Sequence, residues 1–335
     1  MKAIRVRAWS DPPTLGIEEI PVPEPQAGEI RVAVHTASVN FGDVLVAMGR
    51  YQVKPALPFT PGAECSGTVE ALGPNVTEFQ IGEDVAGTGF VGRSQITRSI
   101  LGSYAQKAIA PADNFVRIPR GMSLEDAGFF RSANETAHYG LDRAGLKPGE
   151  TLLVLGAGSG TGFAAVAIGK LLAARVIASA STPEKRRVAM RAGADFAIAR
   201  DDPDWRAKVD EFTCGRGVDV VYDPVGGSAT ERAFRALAIH GRLVVIGFAG
   251  GSIPCLPLNL ALLKNASLIG ANHSVAQETE RERVRQSAAV LARWFEDGKI
   301  ALQPVARRFA LEETGAAMAA VLGGEIAGRA IVRIG

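Results

Sequence analysis

The sequence predicts an α/β protein in which a β-rich part brackets an inserted domain with a parallel sheet. Residues 1–120 are rich in Gly, Pro and Val, and closely spaced turn signals separate short alternating runs such as residues 29–36. From about residue 121, apolar β-branched runs alternate with helical patterns, which is typical of βαβ units. A length of 335 residues also favours two domains over one.

The alternating part can be followed element by element. Strands are predicted at residues 151–155, 175–179, 196–199, 218–222, 241–247 and 266–270. Helices are predicted at residues 160–173, 183–192 and 229–238, with a long polar helix at 278–297. Further strands at 305–309 and 329–334 return the chain to the β-rich part. We therefore predict that residues 1–120 and 271–335 form one domain and that residues 121–270 form the other.

Composition limits the partners and the compartment of the protein. A net charge of +2 gives no electrostatic reason to expect nucleic acid or an anionic membrane surface. No apolar run reaches the roughly 20 residues of a membrane span, and residues 1–9 alternate as a strand rather than a signal peptide. Three cysteines, Cys65, Cys214 and Cys255, form no disulfide framework. We therefore expect a cytoplasmic protein without nucleic-acid or membrane partners.

A glycine-rich loop between a strand and a helix predicts a phosphate-binding site. Glycines permit a tight turn and let backbone N–H groups approach a pyrophosphate, and the helix N-terminus adds favourable partial charge. A serine within such a loop can still offer its N–H and adds a hydroxyl. Alternatively, the loop is a generic turn between a strand and a helix and binds no phosphate. The residues predicted to bind a dinucleotide are Gly158, Ser159, Gly160, Thr161 and Gly162.

The end of the second strand predicts which dinucleotide is bound. Sites for NAD usually place an Asp or Glu there to hold the ribose 2′-hydroxyl, but no acidic residue lies between Phe163 and Pro183. Hydroxyls and cations, which suit a 2′-phosphate, occur instead. The predicted ligands are Ser179, Ser181, Lys185 and Arg200. Alternatively, the cations only form the solvated face of a helix. On this evidence we favour NADPH over NADH as the cofactor.

Several motifs together resemble one family. They are Asn40-Phe41-Gly42-Asp43, Gly49-Arg50-Tyr51, residues 58–64, residues 144–150, residues 222–227 and residues 241–248. This combination is similar to the zinc-independent quinone oxidoreductases (zeta-crystallin-like) of the medium-chain dehydrogenase/reductase superfamily. The resemblance implies a GroES-like β-rich catalytic domain and a Rossmann domain with a doubly wound parallel sheet. It also implies an active site in the cleft between them.

The resemblance also implies which residues surround the nicotinamide. Asn40, Asp43 and Tyr51 would be the catalytic residues. Tyr51 would hydrogen-bond a developing oxyanion or donate a proton. Alternatively, its ring only forms an aromatic wall of the pocket. Thr136 would bind the cofactor; alternatively, Thr136 is the N-cap of a helix. The loop after the strand at 241–247 would run beside the nicotinamide ribose through Gly247, Phe248 and Ala249.

A catalytic metal is not expected. Zinc-dependent relatives place a ligand in a Gly-His-Glu motif, whereas this chain has Gly62-Ala63-Glu64. Alanine cannot ligate a metal, and the four histidines show no ligand spacing. Without a Lewis acid, alcohol dehydrogenation is disfavoured, whereas reduction of a quinone or an activated C=C bond needs only hydride delivery.

The sequence therefore predicts an NADPH-dependent reductase of quinones or α,β-unsaturated carbonyls. An enoyl-thioester reductase of the same superfamily and a non-catalytic NADPH-binding protein remain alternatives. If the protein is an enoyl-thioester reductase, Arg93 and Arg98, in the loop at residues 92–103, would contact a coenzyme A thioester. Otherwise this loop is a solvated surface loop. The apolar edge strand at residues 266–270 predicts a homodimer formed by pairing two copies of that strand.

Overall fold

The computed structural model describes residues 1–52, 54–89 and 102–335. These residues form two compact units. Unit 1 contains Met1–Ser132 and Pro304–Gly335, and unit 2 contains Ala133–Gln303. Arg93 and Arg98 lie outside the described residues, so the two interpretations of their loop stay open.

The elements follow one another along the chain. The strands are β1 (Lys2–Val6), β2 (Leu15–Glu19), β3 (Glu29–Ser38), β4 (Glu64–Leu72), β5 (Asp84–Thr88), β6 (Lys107–Pro111), β7 (Phe115–Arg117), β8 (Thr151–Leu155), β9 (Arg175–Ala180), β10 (Phe196–Ala199), β11 (Val218–Asp223), β12 (Leu237–Val245), β13 (Ser267–Gly270), β14 (Val305–Ala310) and β15 (Arg329–Arg333). The helices are α1 (Phe41–Ala47), α2 (Leu124–Ala127), α3 (Arg131–Arg143), α4 (Gly160–Leu171), α5 (Pro183–Arg191), α6 (Trp205–Phe212), α7 (Ser228–Arg235), α8 (Asn259–Lys264), α9 (His273–Thr279), α10 (Arg281–Glu296) and α11 (Thr314–Leu322).

Unit 1 is built on a mostly antiparallel sheet. Within the described ranges its strand order is β14-β15-β3-β4-β5-β7, with β6 paired to β3, and β1 and β2 form a separate antiparallel pair. Strand β3 alternates as its sequence predicts, since Ile30, Val32 and Val34 are buried while their neighbours in the strand from Arg31 to His35 are half-buried. The alternation packs one face of the sheet into the core of the unit, which confirms the predicted β-rich part.

Unit 2 is built on a parallel sheet. In the described part of the chain the strand order is β10-β9-β8-β11-β12-β13, and every neighbouring pair is parallel. Strand β8 is buried along its whole length, as expected of a strand covered on both faces. The order reverses between β8 and β11, and doubly wound sheets bind ligands outside the carboxyl ends of their strands at such a point. The predicted fold class is confirmed.

Unit 2 runs from Ala133 to Gln303, so it begins later and ends later than the predicted domain at residues 121–270. The predicted polar helix corresponds mainly to α10, and both α10 and the preceding α9 lie in unit 2, where this segment packs against α3. Glu280 accepts a hydrogen bond from the Tyr139 hydroxyl at 2.8 Å, and Arg283 pairs with Asp142 at 2.6 Å. The amphipathic pattern predicts a buried face on this helix, but it does not say which neighbour covers that face.

No helix among the described residues is both long enough and apolar enough to cross a membrane. The cytoplasmic location stays a prediction.

An ion cluster holds the C-terminal strands of unit 1 to α2. Glu125 accepts hydrogen bonds from Arg308 at 2.6 and 3.0 Å and from Arg333 at 3.0 Å. The bonds from Arg308, and the charge of both guanidinium groups, hold the pKa of Glu125 below its usual range. The folded state therefore favours the ionised carboxylate.

We predict that Glu125→Gln lowers the thermal midpoint by about 1–2 °C near neutral pH, because a networked surface ion pair is lost. A depressed folded-state pKa contributes stability above the unfolded pKa, and that stability disappears as the pH falls through the folded value. The difference between variant and wild type should therefore vanish in acid. Glu312→Gln, which breaks the exposed pair with Lys2, is the matched control. A pH-independent deficit in Glu125→Gln would refute this assignment.

Candidate functional site

The carboxyl ends of the strands of unit 2 bring the predicted cofactor residues to one edge of its sheet. The loops after β8, β9, β10 and β12 all leave the sheet at this edge because the strands are parallel. These loops contain the predicted cofactor-binding residues Gly158, Ser159, Ser181, Arg200, Gly247, Phe248 and Ala249. Gly160, Thr161 and Gly162 follow in the first turn of α4, while Ser179 lies in β9, Lys185 in α5 and Thr136 in α3.

The glycine loop forms a turn that is capped by its serine. Ser159 is the N-cap of α4, and its Oγ accepts a hydrogen bond from the N–H of Gly162 at 3.2 Å. The N–H of Ser159 donates to the carbonyl oxygen of Gly156 at 2.9 Å. In the structure the N–H of Ser159 closes the turn, so its predicted donation to a phosphate stays a prediction and the hydroxyl hydrogen is the donor left to it. Among the described residues, Gly160 and Thr161 keep N–H groups that the structure leaves without a partner.

Two glycines of this loop permit close contacts. A Cβ at Gly162 would overlap the carbonyl oxygen of Gly156, so α4 approaches the turn after β8 more closely than any other residue would allow. A Cβ at Gly158 would lie 2.5 Å from the Cβ of Lys185. The loop therefore packs directly against the first turn of α5, which carries the cation predicted to bind the 2′-phosphate.

Ser181, Lys185 and Arg200 come together at the ends of β9 and β10. These strands pair through Ala180 and Ala199, so Ser181 and Arg200 follow at neighbouring positions. Burial lowers the pKa of Lys185, and the positive charge of Arg200 lowers it further. Arg200 also pairs with the exposed Asp201 at 3.1 Å. Two cations close enough to repel each other form a site that an anion would stabilise.

Ser179 lies behind this group. Its side chain is buried, and its Oγ accepts a hydrogen bond from the Trp205 indole N–H at 3.3 Å. The prediction that the Ser179 hydroxyl is a phosphate ligand does not fit this placement, since alternate residues of a strand point to opposite faces and this one points at Trp205.

Asp223 holds the loops after β11 and β12. Its buried carboxylate accepts hydrogen bonds from the N–H groups of Val225 and Gly226 at 2.8 and 2.9 Å. The N–H of Ala249 in turn donates to the carbonyl oxygen of Pro224 at 3.0 Å. Gly247 and Phe248 are half-buried and Ala249 is exposed. Asp223 therefore fixes the loop that is predicted to run beside the nicotinamide ribose.

Two further residues of unit 2, Thr136 and Gln303, bear on the predicted cofactor site at the carboxyl edge of the sheet. Thr136 is half-buried and lies inside α3, which begins at Arg131, so its interpretation as an N-cap is wrong. Gln303, which the sequence does not single out, donates from Nε2 to the carbonyl oxygen of Gly158 at 3.2 Å. Gln303 thus restrains the phosphate loop, and no periodicity or motif in the sequence signals that contact.

In unit 1, Asp43 lies inside a polar cluster. It is buried and accepts hydrogen bonds from the N–H groups of Asn40 and Ala63, each at 2.9 Å, and from the Tyr104 hydroxyl at 3.1 Å. Burial raises the pKa of Asp43 to about 6, although these bonds favour the ionised form. Three internal donors and a buried carboxylate indicate that Asp43 positions its neighbours, including Asn40 at the start of α1.

Asn40 and Tyr51 are more accessible than Asp43. Both are half-buried, and the Nδ2 of Asn40 donates to the Ser38 Oγ at 2.7 Å. The Tyr51 ring packs on the edge of the apolar core of unit 1, and a Cβ at Gly42 would lie 3.9 Å from it. The position of Tyr51 is compatible with both of its predicted roles, as a hydrogen-bond donor and as an aromatic wall.

Glu64, next to Ala63, is held by internal donors. It is buried, and its two carboxylate oxygens accept hydrogen bonds from the Ser38 hydroxyl at 2.8 Å and from the N–H of Ser132 at 2.7 Å. Across the described ranges, no three His, Cys, Asp or Glu side chains are grouped so that they could hold a metal ion.

Comparisons with known proteins agree with this architecture. Residues 26–120 match the family model of the alcohol dehydrogenase GroES-like domain, and residues 160–290 match that of the zinc-binding dehydrogenases. A quinone oxidoreductase-like protein 2 from Bos taurus is 37% identical over 303 residues, which cover 89% of this chain and 83% of the relative.

Solved structures extend the similarity to the whole chain. A mycobacterial protein in complex with NADPH has a TM-score of 0.89 and 29% identity, with 99% of each chain covered. The quinone oxidoreductase of Escherichia coli in complex with NADPH has a TM-score of 0.89 and 26% identity, covering 99% of this chain and 100% of the other. The chain belongs to the quinone oxidoreductase family of the medium-chain dehydrogenase/reductase superfamily.

Proposed function

We propose that the protein is an NADPH-dependent reductase that delivers hydride to a quinone or an α,β-unsaturated carbonyl without a metal. The observation that carries this proposal is the placement of Lys185. Its helix packs against Gly158 of the phosphate loop, and Arg200 lies near enough to lower its pKa. Family membership supports the reaction type, and the two NADPH complexes of similar proteins support the cofactor.

The edge of unit 2 fits a phosphorylated dinucleotide. The N–H groups of Gly160 and Thr161 at the start of α4 suit the pyrophosphate, and the Ser159 hydroxyl hydrogen is available to one of its oxygens. Ser181, Lys185 and Arg200 suit the 2′-phosphate. When bound there, NADPH would supply the hydride, and the chain would supply orientation and charge complementarity.

Residues of unit 1 would serve the electrophile. Tyr51 carries a hydroxyl that can donate to a developing oxyanion, and Asn40 has an amide that can orient a carbonyl. Asp43 would act through Asn40, because its carboxylate is buried against the Asn40 N–H. Alanine at position 63 and the internal donors to Glu64 favour hydride chemistry without a Lewis acid.

The test is NADPH oxidation with quinones, enones, enals and 2-enoyl-CoA measured side by side, with and without a strong chelator. We expect turnover with quinones or enones and no effect of the chelator. A much higher rate on 2-enoyl-CoA would favour the enoyl-thioester reductase. Tight NADPH binding without turnover on any acceptor would favour a binding protein, and loss of activity with the chelator would refute the metal-free mechanism.

Replacing Lys185 tests the cofactor assignment. Lys185→Ala should weaken NADPH binding by roughly 1.5–3 kcal/mol, the value of a charged hydrogen bond, and leave NADH binding nearly unchanged. Arg187→Ala is the matched control, because Arg187 lies in the same helix and pairs with Glu184 on the surface. Isothermal titration with both cofactors gives the affinities. Equal losses for NADPH and NADH would show that Lys185 does not contact the 2′-phosphate.

We further propose a homodimer formed through β13. The sheet order confirms that β13 is an edge strand in the described part of unit 2. Leu268 in β13 is exposed, as are Leu258, Leu262 and Leu263 just before it. An apolar edge with unpaired backbone groups invites pairing, and a second copy related by a two-fold axis presents the same surface.

Light scattering tests this assembly. The wild-type protein should be dimeric at micromolar concentration, and Ile269→Pro should disrupt the dimer because proline is poorly tolerated in paired strands. Leu262→Asp should do the same with less risk to folding, since Leu262 is 77% exposed. Ile81→Asp, at a position in unit 1 that is 68% exposed, is the control and should remain dimeric. A monomeric wild-type protein would refute the proposal.

A further inference from the structure

Arg329 is a buried cation in unit 1 that none of the sequence motifs singled out. It is the first residue of β15 and is 5% exposed. Its Nη1 donates to the Asn40 Oδ1 at 3.1 Å, and its Nη2 donates to the carbonyl oxygen of Phe129 at 2.9 Å. Its guanidinium carbon lies 5.5 Å from the centre of the Phe129 ring. Arg329 therefore contacts the side chain of Asn40, a predicted catalytic residue, directly.

Asn40 connects Arg329 through hydrogen bonds to a buried anion, the Glu64 carboxylate. Its Nδ2 donates to the Ser38 Oγ at 2.7 Å, and the Ser38 hydroxyl donates to the Glu64 Oε2 at 2.8 Å. A guanidinium only donates, and an ionised carboxylate only accepts. The cation at one end and the anion at the other therefore dictate the direction of each bond, and the amide of Asn40 can take only one of its two orientations.

The environment of Arg329 is costly for a residue that only stabilises the fold. Its hydrogen-bond partners are a neutral amide and a neutral carbonyl, and its Nε is buried without a hydrogen-bond partner in the described part of the chain. Burial lowers its pKa, and Glu64 acts in the opposite direction. An apolar side chain would usually be at least as stabilising at such a position. What arginine adds here is a fixed direction for the Asn40 amide.

We propose that Arg329 is a positioning residue for hydride transfer that acts through the amide of Asn40. This inference rests on the proposed reductase function. With the orientation fixed, one N–H of Nδ2 and one lone pair of Oδ1 remain for an external group. Because Asn40 is half-buried, part of its side chain stays accessible to such a group. A preorganised amide gives a larger benefit in the transition state than one that must reorient during the reaction.

A double-mutant cycle tests this role. Arg329→Met should lower kcat/KM for the acceptor by about tenfold or more and leave the NADPH affinity unchanged. Arg329→Lys, which keeps a cationic donor, should recover part of the loss. In an Asn40→Ala background, Arg329→Met should have little further effect, because the side chain it orients is already absent. Arg333→Met is the matched control, since Arg333 lies in the same strand but pairs with Glu125 at the surface.

Thermal midpoints of all variants report on folding. If Arg329→Met does not fold, Ser38→Ala gives a milder test, because it breaks the chain on the other side of Asn40 and should likewise add nothing to Asn40→Ala. Additive losses of kcat/KM in an active protein, with either partner variant, would overturn this inference alone. A wild-type protein that binds NADPH but reduces no acceptor would overturn the proposed function, and the inference with it.

Discussion

The close approach of α4 to the turn after β8 is the constraint on which the candidate site depends. Only glycine at position 162 allows the helix to start against the Gly156 carbonyl oxygen. At this start of α4 the N–H groups of Gly160 and Thr161 keep no internal partner in the described structure, while Ser159 closes the turn. Gly158 then lets α5 pack against the loop, which sets the distance between the pyrophosphate position and Lys185.

Around this edge, and in unit 1, buried polar side chains fix the parts that are accessible. Asp223 holds two loops of unit 2, Gln303 restrains Gly158, and Asp43 holds the start of α1. Asp223 and Asp43 accept hydrogen bonds from backbone N–H groups, and Gln303 donates one to a backbone carbonyl oxygen. The groups suited to contact ligands, such as Lys185, Asn40 and Tyr51, are half-buried by contrast. One set of residues therefore fixes the geometry of the candidate site, and the other set is placed to contact ligands.

Features encoded by local sequence could be predicted, and features decided by tertiary contacts could not. The strand–glycine–helix order around Gly158 and the apolar edge strand β13 follow from periodicity, and the structure has both. The burial of Ser179 against Trp205 and the use of the Ser159 N–H in turn closure depend on neighbours that periodicity does not specify. Arg329 is similar: a basic residue that opens a strand usually lies at a surface, and only the fold brings it to Asn40.

A crystal structure of the protein with NADPH would locate both the pyrophosphate and the 2′-phosphate of the cofactor. We expect the pyrophosphate at the N–H groups of Gly160 and Thr161, and the 2′-phosphate within hydrogen-bond distance of Lys185 and Arg200. A 2′-phosphate directed into solvent, or a dinucleotide bound away from the carboxyl edge of the unit 2 sheet, would contradict the proposed cofactor site.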